Sequence, residues 1–163
     1  PAARPPHKVE RLVTPEVHRL MMTYLATQSN EKFTVSPMEF LRDGLSYTLD
    51  TMNALLAKFG AASELFFIIG ADSMADLAKW YRARELVSKV HFIATKRPGV
   101  EVDVPALTEF FGAESMAHIH QVETPGLEIS STDIRERVKS GRSIKYLVPE
   151  VVEEYIAKER LYK

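Results

Sequence analysis

The chain has 163 residues, 45% hydrophobic and 26% charged, enough for one globular domain with a sizeable core. A net charge of -1 excludes a global basic field for nucleic acid or a membrane surface, leaving only a local patch open, and no apolar run is long enough to span a membrane. Cysteine is absent, so disulfides and thiolate metal sites are excluded, and without a secretory signal pattern the cytoplasm is the expected compartment.

The chain opens with PAARPPHK, where Pro1, Pro5 and Pro6 predict a loop and the sequence is expected to start in mid-fold. Thr14-Pro15-Glu16 reads as a helix start, with Thr14 as capping hydroxyl and Pro15 at the first helical position. Val17, Leu20, Met21, Tyr24 and Leu25 follow at helical spacing. Phe33-Thr34-Val35 and Met38 to Leu41 read as short strand-like segments. Ser46 is expected to cap a second helix, with Leu49, Met52, Leu55 and Leu56 inward and Gly60 as its stop.

ELFFIIG, Glu64 to Gly70, is a continuous apolar run and predicts a strand buried on both faces. A helix is expected across Ser73 to Leu77, and RARELVSK predicts another. Val90 to Gly99 reads as a second buried strand entering a Pro-Gly loop. A helix across Pro105 to Phe111, a poorly patterned loop around Gly112 to Ala117 and a third strand at HIHQVE follow. A helix opening at Ser-Ser-Thr and a terminal helix from Pro149 to Lys158 complete the chain. Strands alternating with helices predict an open, mainly parallel α/β sheet in a single domain, residues 1–163.

Ligands of such sheets bind at the carboxyl ends of the strands, where GADS, TKRPG and EISST fall. In EISSTDIR a helix start offers backbone N–H groups, a positive dipole end and the hydroxyls of Ser130, Ser131 and Thr132. Arg135 lies one turn on, able to grip phosphate oxygens bidentately. A plain capped helix with Ile134 and Val138 facing the core explains the same pattern, and Asp133 even resembles half of a capping box. In GADS, Gly70 permits close backbone approach and Asp72 can accept from ribose hydroxyls; the plain alternative is Asp72 as a helix cap.

Trp80, the one tryptophan, can stack on a ligand ring or fill the core. His7 and Lys8 can contact a phosphate or simply line a solvated loop. His118 and His120 share a strand face, but no third metal ligand accompanies them. His18 reads as structural, and His91 has no evident partner. Cys nucleophiles, G-x-S-x-G elbows, P-loops and G-x-G-x-x-G turns are all missing from the sequence, which points to positioning and electrostatics rather than a covalent intermediate.

RPPHK, LSYTLDT, FFIIGADS, KWYR, ATKRPG, ISSTDIRERVKSGRSIKYLVPEVVEEYI and the closing LY occur together in one order. That ordered set resembles the bacterial nicotinate-nucleotide adenylyltransferases over nearly the whole chain. The resemblance implies a Rossmann-like nucleotidyltransferase that joins ATP to nicotinate mononucleotide, releasing pyrophosphate with Mg²⁺ assisting. It implies that Ser130, Ser131 and Arg135 hold the ATP phosphates, with Arg97 near the triphosphate. Gly70 and Asp72 would meet the adenosine side. Thr48 would contact the mononucleotide, Trp80 would stack near its pyridine ring, and His7 and Lys8 would lie by the substrate phosphates.

One departure stands out. The family opens with a strand and the motif G-T-F-D-P-x-H-x-G-H, whose histidines bind phosphate and stabilise the transition state. This sequence does not contain it. The resemblance therefore implies a domain lacking its first strand and helix, open beside the Glu64–Gly70 strand and with weak or no turnover as written. Its catalytic residues are left unassigned. A sibling enzyme acting on nicotinamide mononucleotide or phosphopantetheine, and a non-catalytic nucleotide-binding module, are the alternatives. A homo-oligomer is left open.

Overall fold

The computed structural model describes residues 1–6, 13–60, 62–96, 102–126 and 128–163. The chain divides into two compact units, Pro1–Leu45 with Leu127–Lys163, and Ser46–Gly126.

The second unit carries the sheet. Three strands, β1 (Phe66–Gly70), β2 (His91–Lys96) and β3 (Ile119–Glu123), pair in parallel in the order β1-β2-β3. Parallel neighbours require crossovers. Here α3 (Ala71–Ala75), a 3-10 turn at Leu77–Lys79 and α4 (Ala83–Lys89) join β1 to β2, while α5 (Val104–Phe111) and α6 (Ala113–Met116) precede β3. Helix α2 (Thr48–Phe59) stands before β1. It stops at Gly60, whose φ of 98° suits glycine and whose N–H donates to the Leu56 carbonyl at 2.9 Å.

One face of this sheet forms the core. Ile69, Phe92 and Ala94 meet Leu49, Met74, Leu77, Leu86, Val87, Leu107 and Phe111 in one buried cluster. The other face of β1 is open: Phe66 and Ile68 are 53% and 68% exposed. The expectation of burial on both faces therefore fails at β1. An uninterrupted apolar run records that a strand is apolar, not that both of its faces are covered, and in this unit the helices gather on the Phe92 side. Among the described residues β1 borders the sheet.

The first unit contains α1 (Glu16–Thr27), α7 (Ser131–Lys139) and α8 (Glu150–Lys158). Its small core joins Ile144, Val152 and Ile156 to Met22, Leu25, Ile134 and Val138. Polar contacts tie α1 to its surroundings: His18 Nδ1 meets the Tyr155 hydroxyl at 2.8 Å, and Arg19 donates to the carbonyls of Thr14 and Ala3 at 2.9 and 2.8 Å. Burial first, and the Glu159 charge second, push the Tyr155 hydroxyl pKa up.

Several local expectations need correction. Thr14 does not cap α1; its hydroxyl donates to that of Tyr162 at 3.2 Å, and Pro15 occupies the cap position. Ser46 is buried, and Tyr47, not Ser46, takes the cap position before α2. The segments around Phe33–Val35 and Met38–Leu41 form turns and loop, with Phe33 60% and Leu41 84% exposed. They are too short and too often interrupted by polar residues to sustain a ladder. Residues 113–116 form a helical turn where a loop was expected.

Candidate functional site

The site residues expected from sequence fall in both units.

In the first unit Ser130 is the N-cap of α7. Its backbone is extended (φ -123°, ψ 147°), and its Oγ accepts the Asp133 N–H at 3.1 Å. This satisfies one of the orphan donors of the first turn. The reciprocal half of a capping box is replaced, because the Asp133 carboxylate accepts from Arg137 Nε at 2.7 Å. Ser131 opens the helix and is exposed. Arg135 bends back towards the helix start: its Nη2 donates to Thr132 Oγ1 at 3.2 Å while the side chain stays exposed. Ile134 and Val138, on another side of the helix, pack against the core. Helix α7 and its cap thus serve packing on one side and, at the start, gather an arginine, two serines and the amides of a helix end.

In the second unit Gly70 ends β1 and leads into α3. Its backbone (φ -78°, ψ 161°) is open to any residue, and a Cβ built there would meet nothing within 4 Å. Neither strain nor close packing within the protein calls for glycine here; the missing side chain leaves open space at the strand's carboxyl end. Asp72 lies in the first turn of α3, exposed, and Gly70 holds the N-cap position of that helix. Beside Gly70, the Thr95 hydroxyl donates to the Ile69 carbonyl at 3.3 Å, tying the ends of β1 and β2.

Trp80 follows the 3-10 turn, half-buried. Its ring meets Phe67 and Phe92 edge-on, centroids 6.1 and 6.4 Å away at 80° and 73°. Its side chain is therefore part core, part surface. Thr48 opens α2, half-buried. Sequence reasoning missed a ring pair that flanks these two: Tyr47 and Tyr81 lie 4.4 Å apart, planes at 30°. Each adjoins a predicted site residue in the chain, but nothing local indicates that they meet.

His7, Lys8 and Arg97 lie outside the described residues. Histidines elsewhere are engaged. His118 Nδ1 donates to the Val87 carbonyl at 2.8 Å. His91, expected to be partnerless, pairs with His120 at 3.1 Å and stacks on Phe66. Strand register, invisible locally, brings these together. Among the described residues no group of three His, Asp or Glu side chains is placed to hold a metal ion, and no helix is long and apolar enough to cross a membrane.

The parallel α/β sheet leaves an open glycine at a strand's carboxyl end, where sheets of this kind take up ligands, and the start of α7 is a helix end of the kind that favours anions. The cytidylyltransferase-like family model matches residues 1–137. A Thermoanaerobacter protein described as "Probable nicotinate-nucleotide adenylyltransferase" is 46% identical over 168 residues, covering 100% of this chain and 78% of that protein. A Moorella thermoacetica protein of the same description is 44% identical, covering 100% and 76%. The chain belongs to the cytidylyltransferase-like family and, within it, to the nicotinate-nucleotide adenylyltransferases. The fold is shared more widely. The Plasmodium falciparum nicotinic acid mononucleotide adenylyltransferase complexed with NaAD superposes with TM-score 0.70 at 20% identity, covering 99% of this chain and 79% of that one. The same enzyme complexed with APC gives 0.63 at 22% identity, covering 92% and 77%.

Proposed function

We propose that the protein transfers the adenylyl group of ATP to nicotinate mononucleotide in the cytoplasm, forming nicotinate adenine dinucleotide and pyrophosphate. We read residues 1–163 as belonging to one nucleotidyltransferase-like domain. The mononucleotide phosphate supplies the attacking oxygen, the new P–O bond forms at the α-phosphorus of ATP, and the bond to the β-phosphate breaks with its electron pair leaving on pyrophosphate. No protein nucleophile is needed, so the work is positioning and charge stabilisation.

The observation that carries this reading is the bend of Arg135 back to Thr132 at the start of α7 in a chain of this family. Ser130, Ser131 and Arg135 hold the ATP phosphates. An incoming phosphate takes over the donor that Ser130 now accepts from, so the cap and the ligand alternate at one helix end. Gly70 lets the adenosine side approach the backbone, and Asp72 accepts from its ribose. Arg97 reaches the triphosphate, while His7 and Lys8 serve the substrate phosphates. Mg²⁺ accompanying ATP would offset the charge that develops on the phosphates during transfer. Thr48 and Trp80 hold the mononucleotide. An acid substrate needs donors for its carboxylate, and backbone N–H groups of the turn after Trp80 suit it.

Steady-state turnover of the intact protein with the nicotinate and nicotinamide mononucleotides and with phosphopantetheine tests the assignment. Preference for the acid supports it. Preference for either other acceptor would move the protein to a sibling activity, and ATP binding by calorimetry without transfer to any acceptor would make it a binding module.

A further inference from the structure

We propose that the Tyr47–Tyr81 ring pair sets the spacing between Thr48 and Trp80, making both tyrosines positioning residues for the ring-bearing substrate; this rests on the assignment of Thr48 and Trp80 to the mononucleotide.

Each of those two residues is anchored by its own element. Thr48 is fixed by the start of α2, where the Tyr47 carbonyl accepts the Thr51 N–H at 3.3 Å and the Thr51 hydroxyl at 3.4 Å. Trp80 is fixed against the sheet by the edges of Phe67 and Phe92. The residue after Trp80 and the residue before Thr48 then meet ring to ring, at 4.4 Å between centroids. That contact links two stretches far apart in sequence within one unit.

The turn beyond it is well defined. The Ala83 N–H donates to the Trp80 carbonyl at 3.2 Å, Arg82 is left-handed with φ 50°, and its guanidinium pairs with Glu85 on α4. A left-handed arginine is an unusual backbone state that surrounding contacts must hold. Movement of Tyr81 is thereby transmitted to Trp80 instead of being absorbed by a slack loop.

Tyr81 is 47% exposed, so its ring is not a core element. A pair of aromatic rings that stabilised the fold alone would be expected deeper. Its placement suits fixing a distance, and errors of a fraction of an ångström to an ångström in substrate placement are costly to turnover.

The test uses the intact protein with Tyr81→Ala, Tyr81→Phe, Tyr47→Ala and the Tyr47→Ala/Tyr81→Ala double variant, reading KM for each substrate and the unfolding midpoint. Tyr81→Ala is expected to raise the mononucleotide KM about tenfold while the ATP KM stays within about twofold. Tyr81→Phe keeps the ring and should behave as the parent. The double variant should be no worse than the more affected single one, because either single change already removes the contact. Additive losses, equal losses for both substrates, or loss with Tyr81→Phe would overturn the proposal. Trp80→Ala provides the control. If it too leaves the mononucleotide KM unchanged, the underlying site assignment fails. If it raises that KM while Tyr81→Ala does not, only the spacing proposal fails.

Discussion

The start of α7 and the Trp80–Tyr81 turn are built on opposite principles. At α7 the groups that matter are polar, exposed and held by single hydrogen bonds: Ser130 to the Asp133 amide, Arg135 to Thr132. At the turn they are aromatic rings wedged against one another and against a strand that belongs to the core. Charged ligands need donors that can reorient at little cost, which a helix end supplies. A flat, weakly polar ring needs a wall that does not move. The difference teaches that substitutions at the two places should separate binding from stability in different ways.

The largest break in that comparison comes from the wall itself. Phe92 is fully buried and carries the Trp80 edge contact. Phe92→Ala should destabilise the protein by about 3–5 kcal/mol, since it leaves a cavity as well as losing burial. Denaturant unfolding checks this, with a large fall in the midpoint expected. At α7 the matching change is smaller: Ser130→Ala removes one cap bond and should cost about 1 kcal/mol of stability. It should also weaken ATP more than mononucleotide, visible as an ATP-selective rise in KM.

The smallest effect lies at Glu85, beside the turn. Its carboxylate is held below the usual range first by a hydrogen bond from Lys89 and then, against some desolvation, by the charges of Arg82 and Lys89. A lowered folded pKa means that the contribution is present above the unfolded carboxylate value of about 4.3 and is lost as pH falls through the folded one. Glu85→Gln should therefore remove a slight acid-side loss of stability and change little at neutral pH, because the Arg82 and Lys89 partners lie at the surface, where salt screens them. Thermal melts across the acid range at low and high salt check this.

Much of the fold could be read locally. FFIIG and HFIATK carry apolar runs and IHQVE a more polar strand pattern, and all three appear as parallel strands. Gly60 stops α2 and Ser130 caps α7, because both act through backbone geometry within a few residues. What failed locally depends on distant partners. Phe66 and Ile68 read as core until the side on which the helices collect is known. The partner of His91 is set by strand register, since Ile93, two residues on and on the same face, pairs with His120. Thr14 prefers Tyr162, near the other end of the chain, to the helix it precedes. The candidate site divides the same way: the α7 start carries its own signature, whereas the contact of Tyr81 with Tyr47 has no local one.

The most direct test of the two-principle account is a crossed measurement of KM on the intact protein. Arg135→Ala should raise the ATP KM by about ten- to a hundredfold, the worth of a charge-assisted hydrogen bond, with the mononucleotide KM and the melting temperature nearly unchanged. Trp80→Ala should do the reverse, raising the mononucleotide KM with ATP little affected, and should lower the melting temperature because its ring also braces Phe67 and Phe92. Parallel losses for both substrates in both variants, or an Arg135→Ala enzyme with an unchanged ATP KM and kcat, would contradict the account.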